Sequence, residues 1–205
     1  MPVGLKGNSD GSGAIQIGGS DAISISTGLN TTFAGTITAT GTVAGTTGTL
    51  YPLVSGTAVS ATGTAVDFTG IPSWVKRITV MFSGVSTNGT SSLLVRIGDS
   101  GGVATTGYQG AISAIVSGAA SGPTASSAGY ILGGASASNQ AIGHLTITNI
   151  AGNSWVASGV MYFSDVQVNQ FAGTRTLSGT LDRVRITTVN GTDTFDAGTI
   201  NLLWE

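Results

Sequence analysis

Arg77-Ile78-Thr79-Val80-Met81-Phe82 decides the fold class of this chain. Ile78, Val80 and Phe82 fall on one side and Arg77, Thr79 and Met81 on the other, which is the two-residue period of a half-buried strand. The β-branched residues in this run favour a pleated surface. Leu93, Val95 and Ile97 form a second inward set, with Arg96 outward. Between the two lies Ser86-Thr87-Asn88-Gly89-Thr90, and its Asn-Gly pair predicts a tight hairpin joining them. Residues 57–61 and 65–68 read as an opening pair of strands, and 142–150, 154–163, 183–189 and 199–204 as later ones. Turn signals at 149–153 and at Asn190-Gly191-Thr192-Asp193 separate them. Ile200, Leu202 and Trp204 share one face of the last strand, so trimming that end is expected to be harmful. Many short strands with regular turn signals predict an all-β fold, a jelly-roll-like β-sandwich over residues 55–205. Residues 110–141 break the rhythm: they are rich in Ala, Ser and Gly. They read as a weak strand at 111–116, a short one at 130–132, and long loops that either face a target or a neighbouring subunit or are simply mobile.

Residues 1–54 have a different texture. The pieces Ala14-Ile15-Gln16-Ile17, Ala22-Ile23-Ser24-Ile25, Thr31-Thr32-Phe33, Thr36-Ile37-Thr38 and Thr42-Val43 are each cut short by glycine or a Ser/Asp/Asn turn. They hold too few large apolar side chains to offset the entropy of ordering the backbone. The segment is therefore expected to hold its shape only against copies of itself or another protein. Ile15, Ile17, Ile23, Ile25, Phe33 and Ile37 are the expected attachment and oligomer interface.

Composition narrows the function classes. Charged residues make up only 8% of the 205 residues, against about 25% in ordinary soluble domains. Free soluble proteins hold themselves apart with charge. A surface of Ser, Thr, Gly and Ala suits a protein covered by its own copies or by a larger assembly. Plentiful aliphatic residues in register argue against disorder. The seven basic residues are scattered, so no phosphate-tracking stripe forms and nucleic acid is not an expected partner. No cysteine is present, which removes disulfides and thiolate metal sites. No run approaches the roughly 20 apolar residues of a membrane helix, and residues 1–7 do not read as a signal peptide. Membrane insertion is not expected.

Gly98-Asp99-Ser100-Gly101-Gly102 spells the nucleophile motif of trypsin-like serine proteases. Those enzymes need a histidine and an aspartate ahead of the serine, and the single histidine, His144, comes after it. A serine without a base is a poor nucleophile, so the string reads as a glycine turn. Asp67, Asp99, Asp165, Asp182, Asp193 and Asp196 show no carboxylate pairing of the glycosidase kind. A non-enzymatic protein is expected. The glycine-rich stretch 7–13 follows no predicted strand, which argues against a phosphate loop. Asp193 and Asp196 offer carboxylates to calcium, but a solvated turn accounts for them as well. No metal or cofactor is expected.

Tyr108 and Tyr130, flanked by small residues, read first as ordinary edge packing, with a sugar-stacking role as the candidate alternative. Asp99 and Asn88 join them as receptor-contact candidates in neighbouring turns. Trp74 reads as a cap on the core, and Trp155 and Trp204 as core. His144 reads as a surface residue. Arg183 and Arg185 share a strand face that meets solvent, anionic sugars or an acidic neighbour.

The run from Phe68-Thr69-Gly70-Ile71-Pro72-Ser73-Trp74 through Phe82, into Ser86-Thr87-Asn88-Gly89-Thr90 and Val95-Arg96-Ile97-Gly98, resembles a module common at the C-termini of bacteriophage fibre and tail-associated proteins. Phe195-Asp196-Ala197-Gly198-Thr199-Ile200-Asn201-Leu202-Leu203-Trp204-Glu205 is similar to the module's closing strand. Ala14-Ile15-Gln16-Ile17-Gly18-Gly19-Ser20-Asp21-Ala22-Ile23 is similar to segments near the start of phage fibre proteins. Together these cover about half of the chain. The resemblance implies a virion protein, commonly a homotrimer, with an N-terminal attachment part and a C-terminal knob. A short tail fibre, a head fibre and a capsid or tail decoration protein all fit it. The resemblance says little about the target; the leading expectation is a knob that contacts the host surface, its polysaccharide in particular, and the alternative is a decoration protein that stabilises the particle without touching the host. The resemblance transfers no binding residue.

Overall fold

The computed structural model describes residues 3–7, 13–17, 43–45, 48–134, 136–163 and 167–205. All regular structure among them is β. The chain divides into two compact units, Met1–Thr49 and Leu50–Glu205.

In the first unit, β1 (Val3–Gly7) pairs antiparallel with β2 (Gly13–Ile17), Val3 opposite Ile17. A second two-stranded ladder joins β3 (Val43–Gly45) to β4 (Gly48–Leu50). The glycine-rich stretch 7–13 thus does follow a strand, contrary to expectation. Another strand comes after it, whereas a phosphate loop needs a helix there. Ile15 and Ile17 lie on β2. Ile23, Ile25, Phe33 and Ile37 lie outside the described residues.

The second unit is built from two antiparallel sheets. In the small one, β7 (Ala65–Thr69), β18 (Arg183–Thr188) and β9 (Leu93–Asp99) are neighbours, and both β14 (Tyr130–Gly133) and β10 (Gly102–Val103) line the far side of β9. The large sheet runs β12 (Ala119–Ala120), β11 (Gln109–Val116), β17 (Gln167–Thr176), β16 (Ser154–Phe163), β15 (Ala141–Ala151), β8 (Arg77–Thr87), β19 (Phe195–Trp204), β5 (Val54–Ser55). The short β13 (Thr124–Ser126) pairs with β11, and β6 (Val59–Ser60) with β19.

One hydrophobic core joins the inner faces. Val95, Ile97, Val184 and Ile186 enter it from the small sheet, and Val80, Leu145, Met161, Phe163 and Leu202 from the large one. Period-two alternation makes this two-sided: along β16, Trp155, Ala157, Met161 and Phe163 are buried while Val156, Ser158, Val160 and Tyr162 are exposed. The turn between β15 and β16 uses Gly152 at φ 51°, a backbone angle that side-chain-bearing residues avoid.

Several expectations are corrected. The Asn88-Gly89 turn is no hairpin, because β8 pairs with β15 and β19 while β9 pairs with β18 in the other sheet. A two-residue hairpin of that type needs positive φ at both positions, and neither residue has it. The turn carries the chain from one sheet to the other. Residues 57–61 and 65–68 do not pair with each other either: β6 joins β19, and β7 joins β18. Strand β17 was not foreseen. Its inward positions hold Asn169 and Arg175 beside Phe171, so the apolar period that marks a strand is broken. Asn169 is fully buried and held by its own hydrogen bonds, to Leu132 O at 2.8 Å and from Gln167 Nε2 at 2.7 Å.

Candidate functional site

The structure gathers Asp99, Tyr108 and Tyr130 around one end of the sandwich. Tyr130 stands on β14, opposite Val95 of β9, and Tyr108 precedes β11. Their rings meet edge to face at 5.0 Å, a favoured aromatic geometry. They are not exposed platforms for sugar: Tyr108 is 2% and Tyr130 3% exposed. Burial agrees with the packing reading of both rings and sets aside their candidate sugar-stacking role. The Tyr108 hydroxyl accepts the Ile97 N–H at 2.8 Å and donates toward Ile97 O and Ala104 O, each at 3.2 Å. It closes the gap where β9 gives way to the β10 turn. Burial pushes the Tyr108 phenol up to about 12 against the pull of these partners. Burial raises Tyr130 too, followed by the neighbouring Tyr108, and its hydroxyl has no hydrogen-bond partner among the described residues.

Arg175 completes the cluster, and sequence reasoning passed over it. Its guanidinium lies 5.6 Å from the Tyr108 ring centroid, a cation–π contact. Gly107 makes room for it: a side chain there would meet Arg175 Nη1 at 2.8 Å. Among the described residues no carboxylate forms an ion pair with Arg175. A recess of about 180 Å³ opens beside it, lined also by Asp99, Gly101, Val103, Leu177 and Ser178. Asp99 is turned toward its own loop. It accepts the Gly101 N–H at 2.9 Å, the Gly179 N–H at 2.6 Å and the Ser178 hydroxyl at 3.2 Å. These bonds, led by the Gly101 and Gly179 amides, hold its carboxyl below the ordinary carboxylate range. Their stabilising effect is present above the ordinary carboxylate pKa and fades as the solution is acidified. The recess thus offers one cation and a serine hydroxyl on a frame stiffened by a buried carboxylate.

Asn88 belongs elsewhere. It precedes β9 whereas Asp99 ends it, so the two stand at opposite ends of a strand about 20 Å long. Its side-chain oxygen accepts the Thr194 N–H at 2.9 Å and its own N–H reaches Thr194 O at 2.9 Å, which ties two loops together. In the same loops Asp193 is held by Asn190 Nδ2 at 2.7 Å and Ser91 N at 2.8 Å, while Asp196, at the start of β19, takes the hydroxyl of Ser86 on β8. The two carboxylates point at separate partners. Among the described residues no three His, Asp or Glu side chains gather around a point.

The other candidates separate cleanly. Ser100 sits in the turn before β10, and His144 is exposed on the outer face of β15, opposite Val160. Trp155 is buried in the core. Trp74 and Trp204 are half-buried and pack against the core, and Trp74 is stacked on Tyr51 at 4.8 Å. Arg183 pairs with Asp182 at 2.6 Å, and Arg185 with Asp67 at 2.6 Å.

No family model matches the chain, and no curated protein or solved structure is significantly similar to it.

Proposed function

We propose that this chain is a structural protein of a bacteriophage virion, a short fibre that attaches through its N-terminal segment. Its β-sandwich is then the knob that adheres to polysaccharide on the host surface. The observation that carries the reading is the strand order of the second unit. The small sheet runs β7–β18–β9–β14, and in the large sheet β8 and β11 flank the meander β15–β16–β17. With that meander taken as one expanded strand position and β19 as an addition, this order supports reading the unit as a jelly roll, a fold of viral shells and lectins. The low charge and the phage-fibre resemblance of residues 68–98 support the same reading.

The sugar contact belongs to the Arg175 recess rather than to the tyrosine rings. A volume of about 180 Å³ is below the roughly 300 Å³ of an enclosing ligand pocket. It suits one anionic or hydroxyl substituent of a glycan, held weakly. Several such contacts on one particle reach useful strength by avidity. The chain is expected to act as a homotrimer among other virion proteins.

Decoration of the particle without host contact is the second reading. The uncharged outer face of the large sheet favours it, since that face offers broad contact with neighbours. Labelling virions with an antibody to this chain, followed by electron microscopy, tests the shared part: absence from the particle sinks both readings. Binding of the purified chain to host-envelope polysaccharide, lost in Arg175→Ala, supports the fibre. A chain that sits on the particle and leaves host surfaces untouched is a decoration protein.

A further inference from the structure

We infer that the outer face of the large sheet is where copies of this chain meet. Ladder register lines up its apolar side chains across neighbouring strands. Ile142 of β15 lies opposite Tyr162 of β16, Tyr162 opposite Val168 of β17, and Val168 opposite Ile115 of β11. Val160 lies in the next row, between His144 and Gln170. Tyr162 is 42%, Ile115 45%, Ile142 46% and Val160 52% exposed. These are not scattered surface residues but one contiguous patch on one face, and such patches commonly mark interaction sites.

The rest of the face is as telling. The outward positions of β15, β16, β17 and β11 carry no Asp, Glu, Lys or Arg. The ion pair of Arg77 with Glu205 stands only at its corner, beside β8 and β19. The chain does use charge on the other outer face, where Asp67, Arg96 and Arg185 stand side by side. Its scarce charges are thus kept off one side.

A face whose centre carries no charge, with one self-paired ion pair at its corner, does not select a charged partner. It needs a surface that is flat, apolar at the centre and lined with Ser, Thr and Ala, and this chain supplies one in the same face of another copy. Sheets pack about 10 Å apart with their strands at about −30°. Small outward residues Ser158, Ala172 and Ala111 line up in the row beside Val160, on the side away from Tyr162, and leave hollows there. Six neighbouring strands, β19 to β11, at about 4.8 Å each, and rows of some seven residues at about 3.4 Å give a footprint of about 700 Å². That is close to the roughly 800 Å² per partner of a stable interface. The inference stands apart from the virion reading and adds a second contact to any made by the N-terminal segment.

The test is sedimentation velocity of the full chain over a wide concentration range, for the natural sequence and for a Val160→Lys/Ile115→Lys double variant. Like charges brought face to face cost several kcal/mol, so the dissociation constant is expected to rise by about 100-fold or more. Far-UV circular dichroism should be unchanged. Val189→Lys, at an exposed apolar residue beyond the end of β18, should leave the mass as it was. Should the double variant fail to fold, Thr146→Lys/Ser158→Lys charges the same face at positions that are already polar. The inference is overturned if the natural chain sediments as a monomer throughout, as it would were its own N-terminal unit the cover. It is equally overturned if the folded face variants keep the natural oligomeric mass.

Discussion

On the outer face of the small sheet, Arg185 reaches across to Asp67 with two parallel hydrogen bonds, at 2.7 and 2.6 Å, and Arg96 stands on the next strand. On the outer face of the large sheet the positions equivalent in pleat hold Ile142, Val160, Tyr162 and Ile115 among Thr, Ser and Ala. Both faces are made by the same alternation over the same core. What differs is the solvent each is built for. A bidentate arginine–carboxylate pair is at home in water, where it contributes little. A row of half-exposed aliphatic and aromatic side chains is not. Equal geometry with unequal chemistry teaches that charge in this chain is placed by face, and that a low total hides an asymmetric distribution.

That contrast can be broken in graded steps. The largest effect lies beneath the large face. Phe163→Ala empties a position that is 1% exposed and should cost about 3–5 kcal/mol in thermal or denaturant unfolding. It separates loss of fold from loss of association, because the charged face variants should dissociate without this penalty. Tyr108→Phe comes next. It removes the acceptor of the Ile97 N–H and should cost about 1–3 kcal/mol. The same residue predicts an alkaline limit. Its phenol is pushed from 10.0 to about 12 in the fold, so its protonated form favours the native state. That contribution is complete below about pH 10 and is lost as pH rises toward 12. Unfolding followed by tyrosinate absorbance should show the loss, and it should shrink in Tyr108→Phe. The smallest effect belongs to the small face. Asp67→Asn, at the exposed Arg185 pair, should cost no more than about 1 kcal/mol. It should leave the sedimenting mass unchanged, whereas a charge added to the large face should alter it.

Much of the fold was legible along single segments. The alternation of 77–82 marked β8, and Asn149 to Asn153 marked the turn between β15 and β16. Strands β18 and β19 appeared where their inward Val184, Ile186, Ile200 and Leu202 placed them. Pairing between segments was not legible, since β8 and β9 look like hairpin partners by their turn and yet enter different sheets. β17 escaped notice because buried Asn169 and half-buried Arg175 take the inward places where apolar residues are sought. At the candidate site, the sequence picked out Asp99, Tyr108 and Tyr130 but not what brings them together. The burial of both rings follows from how β9 and its turn fold back over Tyr108 and pair with the strand of Tyr130, contacts that the sequence of either segment alone does not show. Arg175 gave no local sign at all. The apolar row over β15, β16, β17 and β11 exists only in the register, so no single segment announces it.

Hydroxyl-radical footprinting of the full chain, read at Tyr162 and at Met81 on the large outer face, tests the central claim most directly. If copies meet there, both residues are protected in concentrated solution and become reactive on dilution, while Tyr51 reacts alike at every concentration. Reactivity at Tyr162 and Met81 that is high and independent of concentration would contradict the account.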